Sequence, residues 1–70
     1  MFKYLLVLRN GQPADPVVFS TALPHWRVGE CLMVDPGHHL RIVGISHDLD
    51  ELDELHERGI DGLWVVEPVE

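Results

Sequence analysis

A chain of 70 residues accommodates one small domain, residues 1–70, with little room for the deep cleft that many catalytic sites occupy. Its apolar fraction of 46% is too high for a disordered chain. Its formal charge of −7 disfavours duplex DNA and anionic membranes as partners, because both attract basic surfaces.

Cysteine content and hydropathy predict a protein of the reducing cytoplasm. Cys31 is the single cysteine, which excludes a disulfide within the chain. The apolar run from Tyr4 to Leu8 is too short for a signal-peptide core, and no run approaches a membrane span. Cys31 opens an apolar segment and is expected to be a small buried hydrophobe.

Apolar segments separated by turn signals predict five strands. They are expected at residues 2–9, 16–20, 30–34, 39–46 and 63–66. The first is apolar at both alternations, which is typical of a strand covered on both faces. Pro36 and Gly37 form a turn that predicts an antiparallel hairpin of the third and fourth strands. Gly44, inside the fourth strand, predicts a bulge or a bend.

A helix is predicted before the last strand, where the apolar period changes. Leucines recur at every third position, at Leu49, Leu52 and Leu55. This spacing predicts a helix over residues 49–58 that buries Leu52. Asp48 is expected to cap its start, with Glu51 completing a capping box, and Gly59 is expected to end it.

The order β-β-β-β-α-β with short connections resembles the SH3-like barrel, which carries a helical turn in the same place. The segment Trp-Arg-Val-Gly-Glu at 26–30, followed by an apolar strand, is similar to a strand entry of such barrels, with Glu30 replacing the usual Asp. The resemblance implies a mainly-β, five-stranded SH3-like barrel with one short helix. The alternative is an α+β fold with the helix packed on an open sheet, which the length of the helix favours.

The histidines and acidic residues do not have the spacing of a metal site. His38 and His39 are adjacent, and neighbours on a strand point to opposite faces. Cys31 has no Cys-x-x-Cys partner. In the acidic run that begins at Asp48, Leu52 and Asp53 stand where a calcium loop requires an oxygen ligand and a glycine. No cofactor or metal is therefore expected, and we expect the domain to fold without metal.

Catalytic motifs are missing as well. No serine lies in a Gly-x-Ser-x-Gly elbow, and the six glycines are spread singly, so no phosphate loop is formed. Together with the small size, this predicts a protein that is not an enzyme.

The best candidate for a binding surface is an aromatic and basic set. It consists of His25, Trp26, Arg27, His39 and Arg41. Tryptophan and arginine often anchor interfaces, and an aromatic beside arginines can stack a base or a peptide. Pro24 and Gly29 bracket Trp26, so we expect it in a partly exposed loop, whereas Trp64 is expected in the core. The alternative is that Trp26 belongs to the core as well.

The sequence leaves three candidate functions. The first is a non-enzymatic binding module for a protein partner or a second copy, using a loop or strand edge near Trp26. The second is a module for single-stranded nucleic acid or RNA that uses the same aromatic and basic residues. The third is a small enzyme of unassigned type.

Overall fold

The computed structural model describes residues 1–23, 25–35 and 37–69, without the side chains of Asp15, Pro16, Val34, Asp35 and His38. Its elements are β1 (Phe2–Leu8), β2 (Pro13–Thr21), β3 (Cys31–Asp35), β4 (His38–Ile45), α1 (Leu49–Glu57) and β5 (Gly62–Val69). The prediction of a mainly-β chain with one short helix before the last strand is confirmed. Pro36, part of the predicted turn between β3 and β4, lies outside the described residues.

The five strands form one sheet in the order β2-β1-β5-β4-β3. The two hairpins, β1 with β2 and β3 with β4, are antiparallel, as is the pair of β4 with β5. The first and last strands run parallel at the centre, from Tyr4 beside Gly62 to Leu8 beside Val66. Tyr4 and Leu6 of β1 are buried, whereas Leu5 and Val7, which alternate with them, are half-buried, so only one face of the strand is fully covered.

The sheet is open, so the closed SH3-like barrel is not seen. Its end strands are β2 and β3, and no pairing joins them within the described part of the chain. The physical reason is that β1 and β5 pair with each other in the middle, which leaves the outer strands of the two hairpins at opposite ends. The open-sheet alternative describes this arrangement.

The last strand is longer than predicted and includes a proline. We expected it at residues 63–66, but it continues through Pro68, which lies beside Leu40 of β4. The pairing of β1 with β5 has already ended at Val66. The missing N–H of Pro68 therefore interrupts no ladder on that flank.

The buried side chains gather on one face of the sheet, called here the first face. They are Tyr4, Leu6, Ala14, Leu32, Leu40, Ile42, Trp64 and Val66. On β4 the register shifts between Ile42 and Gly44, so the predicted bulge at Gly44 is confirmed. The shift brings Ile45 beside Trp64, where it packs against the same cluster.

An aromatic stack beside a glycine holds β1 against β5. The rings of Tyr4 and Trp64 lie 4.0 Å apart between centroids and are nearly parallel, with an angle of 16°. A Cβ atom on Gly62 would lie 3.1 Å from the ring of Tyr4. The glycine therefore leaves space for the tyrosine ring. Burial raises the pKa of Tyr4 above its usual value, and the charge of Asp61 adds to the shift.

Gly62→Ala is expected to displace the ring of Tyr4 and to cost about 1–3 kcal/mol of unfolding free energy, as overpacking does. Near-ultraviolet circular dichroism and a denaturant titration measure the two effects. Gly44→Ala is the matched control, because its Cβ would lie an ordinary 3.6 Å from Val65. An unchanged aromatic signal and midpoint in Gly62→Ala would show that the tyrosine ring does not need the glycine.

The ends of the helix follow the predicted signals with one difference. Asp48 Oδ1 accepts hydrogen bonds from the N–H groups of Asp50 (3.0 Å) and Glu51 (3.2 Å). Glu51 does not return to the Asp48 N–H; its Oε1 accepts from Ser46 Oγ at 2.9 Å, and Ser46 Oγ accepts from the Asp48 N–H at 3.4 Å. Ser46 thus mediates the capping box. Gly59, with φ of +79°, follows the helix as predicted.

The helix buries a different leucine from the one predicted. Leu55 is 4% exposed, whereas Leu52 is only half-buried and Leu49 is 75% exposed. Leu55 does not belong to the buried cluster on the first face. Its helix, α1, contacts β5. Across the described residues, no helix has the length and apolar character needed to cross a membrane.

Candidate interaction surface

Trp26, the predicted anchor, lies in the loop between β2 and β3 with its ring against the core. The ring meets Phe19 edge-on at a centroid distance of 5.9 Å and lies 5.8 Å from Trp64. Its Nε1 donates a hydrogen bond to the carbonyl oxygen of Leu23 at 2.8 Å. Trp26 is therefore half-buried: it covers the aromatic cluster and still reaches solvent.

The other four predicted residues divide into two groups. His25 and Arg27 are exposed beside Trp26, whereas His39 is half-buried and Arg41 is exposed on β4. The residues that alternate with His39 and Arg41 along β4 are buried on the first face. His39 and Arg41 therefore lie on the opposite face, called here the second face, while Trp26 packs on the first. The structure brings together Trp26 and its two neighbours, and separates them from the pair on β4.

Arg41 is engaged by an acidic side chain of the next strand. Its Nη1 lies 3.8 Å from Oε1 of Glu67, its cross-strand partner on β5. Oε2 of the same carboxylate lies 3.2 Å from Nε of Arg9. Such solvent-exposed pairs contribute only about 0–1 kcal/mol to stability. They do, however, hold both guanidinium groups beside Glu67 of β5.

An open groove lies where β1 leaves β5. It has a volume of about 270 Å³ and is lined by Leu8, Arg9, Asn10, Val66, Glu67 and Pro68. Its two charged side chains pair with each other, so the groove presents mostly compensated charge. The described side chains also include no group of three or more histidine, cysteine, aspartate or glutamate residues close enough to hold a metal ion.

Cys31 is exposed, which corrects the expectation that it is buried. The alternation of β3 places Leu32 in the core with 1% exposure, so its neighbours must lie on the second face. Met33, the next residue on that side, is 68% exposed. Because β3 is an end strand, little of the sheet shields these two side chains.

The two end strands of the sheet differ in how they are protected. β2 contains Pro13 and Pro16, and its register with β1 shifts between Leu5 and Val7. Prolines and bulges are common devices that prevent an edge strand from pairing with another chain. β3 also has a register shift, between Met33 and Asp35 in its pairing with β4, but it contains no proline from Cys31 to Asp35, and its outer flank pairs with no other strand in the described part of the structure. β3 is therefore the less protected edge.

Hydrogen bonds at the entrance to β3 fix which way its main chain faces. The N–H of Ile42 donates to the carbonyl of Glu30 at 2.9 Å. The carbonyl of Ile42 accepts from the N–H of Gly29 at 2.8 Å. Gly29 and Glu30 thus oppose the single residue Ile42, as in a β-bulge. Gly29 has a φ of +99°, and this type of bulge favours a glycine with positive φ. Ile42 is consequently a bonded position of the ladder.

Bonded and non-bonded pairs alternate along an antiparallel ladder. Two residues before Ile42, Leu40 pairs with Leu32 and is again a bonded position. The N–H and C=O groups of Cys31 and Met33 therefore point away from β4, toward the open flank. At this flank a proline-free strand presents alternate main-chain donors and acceptors beside two exposed side chains. We call it the β3 edge.

A strand edge near Trp26 was one of the surfaces expected from the sequence, but the main-chain groups that this edge presents could not be identified. The available signal was the proline-free segment from Cys31 to Asp35, in contrast to the prolines near the second strand. The strand order, which tells an end strand from an interior one, could not be deduced from this pattern. Searches against family models, curated proteins and solved structures found nothing that matches this chain.

Proposed function

We propose that this chain is a non-enzymatic interaction module that binds an extended segment of a protein partner as an added strand beside β3. The observation that carries the proposal is the direction of the main-chain groups of Cys31 and Met33. An added strand satisfies such groups with hydrogen bonds, and the exposed side chains beside them provide selectivity. The binding surface is the β3 edge, next to the loop of Trp26.

The geometry favours this function over binding of single-stranded nucleic acid. Binding a strand of nucleic acid combines stacking on aromatic rings with a basic groove that follows the backbone. Here Trp26 packs on the first face, whereas Arg41 lies on the second face and pairs with Glu67. The β3 segment itself contains no lysine or arginine.

The sole cysteine provides a direct test, because it lies on the proposed surface. Cys31 is labelled with a benzophenone maleimide, and the full chain is illuminated in a lysate of its native cell. We expect a covalent adduct with a protein partner, resolved by mass spectrometry. The adduct should be lost in Met33→Pro, which removes an outward N–H while leaving the ladder to β4 intact.

The matched control moves the label to the other edge. In Cys31→Ser with Val17→Cys, the probe lies on β2, where Val17 is 46% exposed. We expect no adduct at this position. Equal labelling from both positions, or an adduct from Cys31 that survives Met33→Pro in a folded variant, would contradict strand addition at β3.

A further inference from the structure

The β3 edge is complementary to itself. Paired residues of an antiparallel ladder exchange both hydrogen bonds at every second position. The outward groups of one chain belong to Cys31 and Met33, which have this spacing. A two-fold axis at Leu32, perpendicular to the sheet, would place Cys31 opposite Met33 of a second copy. Every outward donor and acceptor of these two residues then has a partner.

The side chains agree with this pairing. Cys31 and Met33 of both copies would lie on the second face, where the exposed thioether and the thiol would cover each other. Leu32 of each copy would lie at the axis on the first face, so the buried clusters of the two copies would meet there.

Part of the net charge of −7, which opposes self-association, lies away from the β3 edge. Five acidic residues lie on α1: Asp50, Glu51, Asp53, Glu54 and Glu57. α1 contacts β5, and β4 and β3 lie between β5 and the open flank. At about 4.8 Å per strand, two strands separate β5 from that flank by about 10 Å. This is similar to the screening length of about 8 Å at physiological salt, so repulsion across the axis is reduced.

The prolines of the other end strand, β2, explain why such pairing would stop at two copies. Two-fold pairing uses the same surface on both chains and is closed. It leaves a β2 strand at each end of the joined sheet, and β2 carries Pro13 and Pro16. These prolines oppose further strand addition.

From these observations we infer that the strand received by β3 is β3 of a second copy of this chain, antiparallel across a two-fold axis at Leu32. The inference rests on the proposed function and names its partner.

Sedimentation equilibrium of the purified full chain, in reductant over about a hundredfold range of concentration, tests it by mass action. We expect the average mass to rise toward twice that of one chain. Met33→Lys places a charge on the edge and should weaken association at least about tenfold. Val17→Lys is the matched control: it adds the same charge to β2 and should associate like the unmodified chain. Denaturant midpoints confirm that both variants are folded.

The outcomes separate the inference from the proposed function. A chain that stays monomeric while the Cys31 probe labels a different protein would overturn the second copy and support strand addition. A monomer without any Cys31 adduct would overturn both. A dimer that Met33→Lys does not weaken would place the contact elsewhere and overturn the inference, as would equal weakening by Val17→Lys.

Discussion

Trp64→Ala is expected to remove a large part of the unfolding free energy of this domain. Trp64 is 2% exposed, stacks on Tyr4 and also contacts Trp26 and Phe19. Truncation of a buried tryptophan costs about 3–5 kcal/mol. Domains of 70 residues have a total stability of about 4–10 kcal/mol, so this loss is about a third of the total or more. Chemical denaturation followed by far-ultraviolet circular dichroism measures it.

Trp26→Ala is the matched control for Trp64→Ala, because it truncates the same residue type at a half-buried position. Trp26 is half-buried and covers the cluster from one side, so its truncation should cost less, about 1–2 kcal/mol. A variant without Trp26 should therefore remain folded. If Trp26→Ala were as destabilising as Trp64→Ala, the loop would be an integral part of the core, and its description as a partly exposed cover would be wrong.

Leu55→Ala is expected to cost about 2–5 kcal/mol of unfolding free energy. Leu55 is the buried residue of α1, with 4% exposure, and the helix is only nine residues long. So short a helix is not stable by itself in water, and depends on packing of its apolar face. Loss of this side chain should therefore lower both the denaturant midpoint and the helical signal.

Leu52→Ala is the matched control, because it changes the same residue type in the same helix at a half-buried position. We expect a loss of no more than about half that of Leu55→Ala, because less apolar area leaves water at this position. Equal losses of unfolding free energy in the two variants, or a larger loss in Leu52→Ala, would show that the helix packs through Leu52 at least as much as through Leu55.

Local signals in the sequence predicted local structure well. The cap at Asp48, the glycine at Gly59 and the bulge at Gly44 depend on a few neighbouring residues, and each is where the pattern indicated. The choice between Leu52 and Leu55 was wrong because a stripe of leucines specifies the apolar side of a helix, but not how the helix is rotated against its neighbour.

Pairing between distant strands was not predictable in the same way. The apolar pattern of β1 indicated a covered strand, but it did not show that β1 pairs parallel with β5. Since this pair lies at the centre, it decides that the sheet is open and that β3 is an end strand.

The candidate site depended on this missing information. Arg41 lies opposite the buried side of β4, but the sequence did not show which face of the sheet the loop of Trp26 covers. The exposure of Cys31 was missed for a related reason. An apolar segment indicates a strand, but only the pairing shows that Leu32 faces the core and that Cys31 lies at the rim.

Residue-resolved amide hydrogen exchange of the dilute chain, measured by nuclear magnetic resonance, shows whether the outer flank of β3 is open. If β3 is an open edge bonded to β4 through Leu32, the amide of Leu32 should exchange slowly, while those of Cys31 and Met33 should exchange at least about a hundredfold faster. Sedimentation under the same conditions must show a monomer. Slow exchange at all three amides in that monomer would mean that the chain itself covers the flank of β3, and would contradict an open β3 edge.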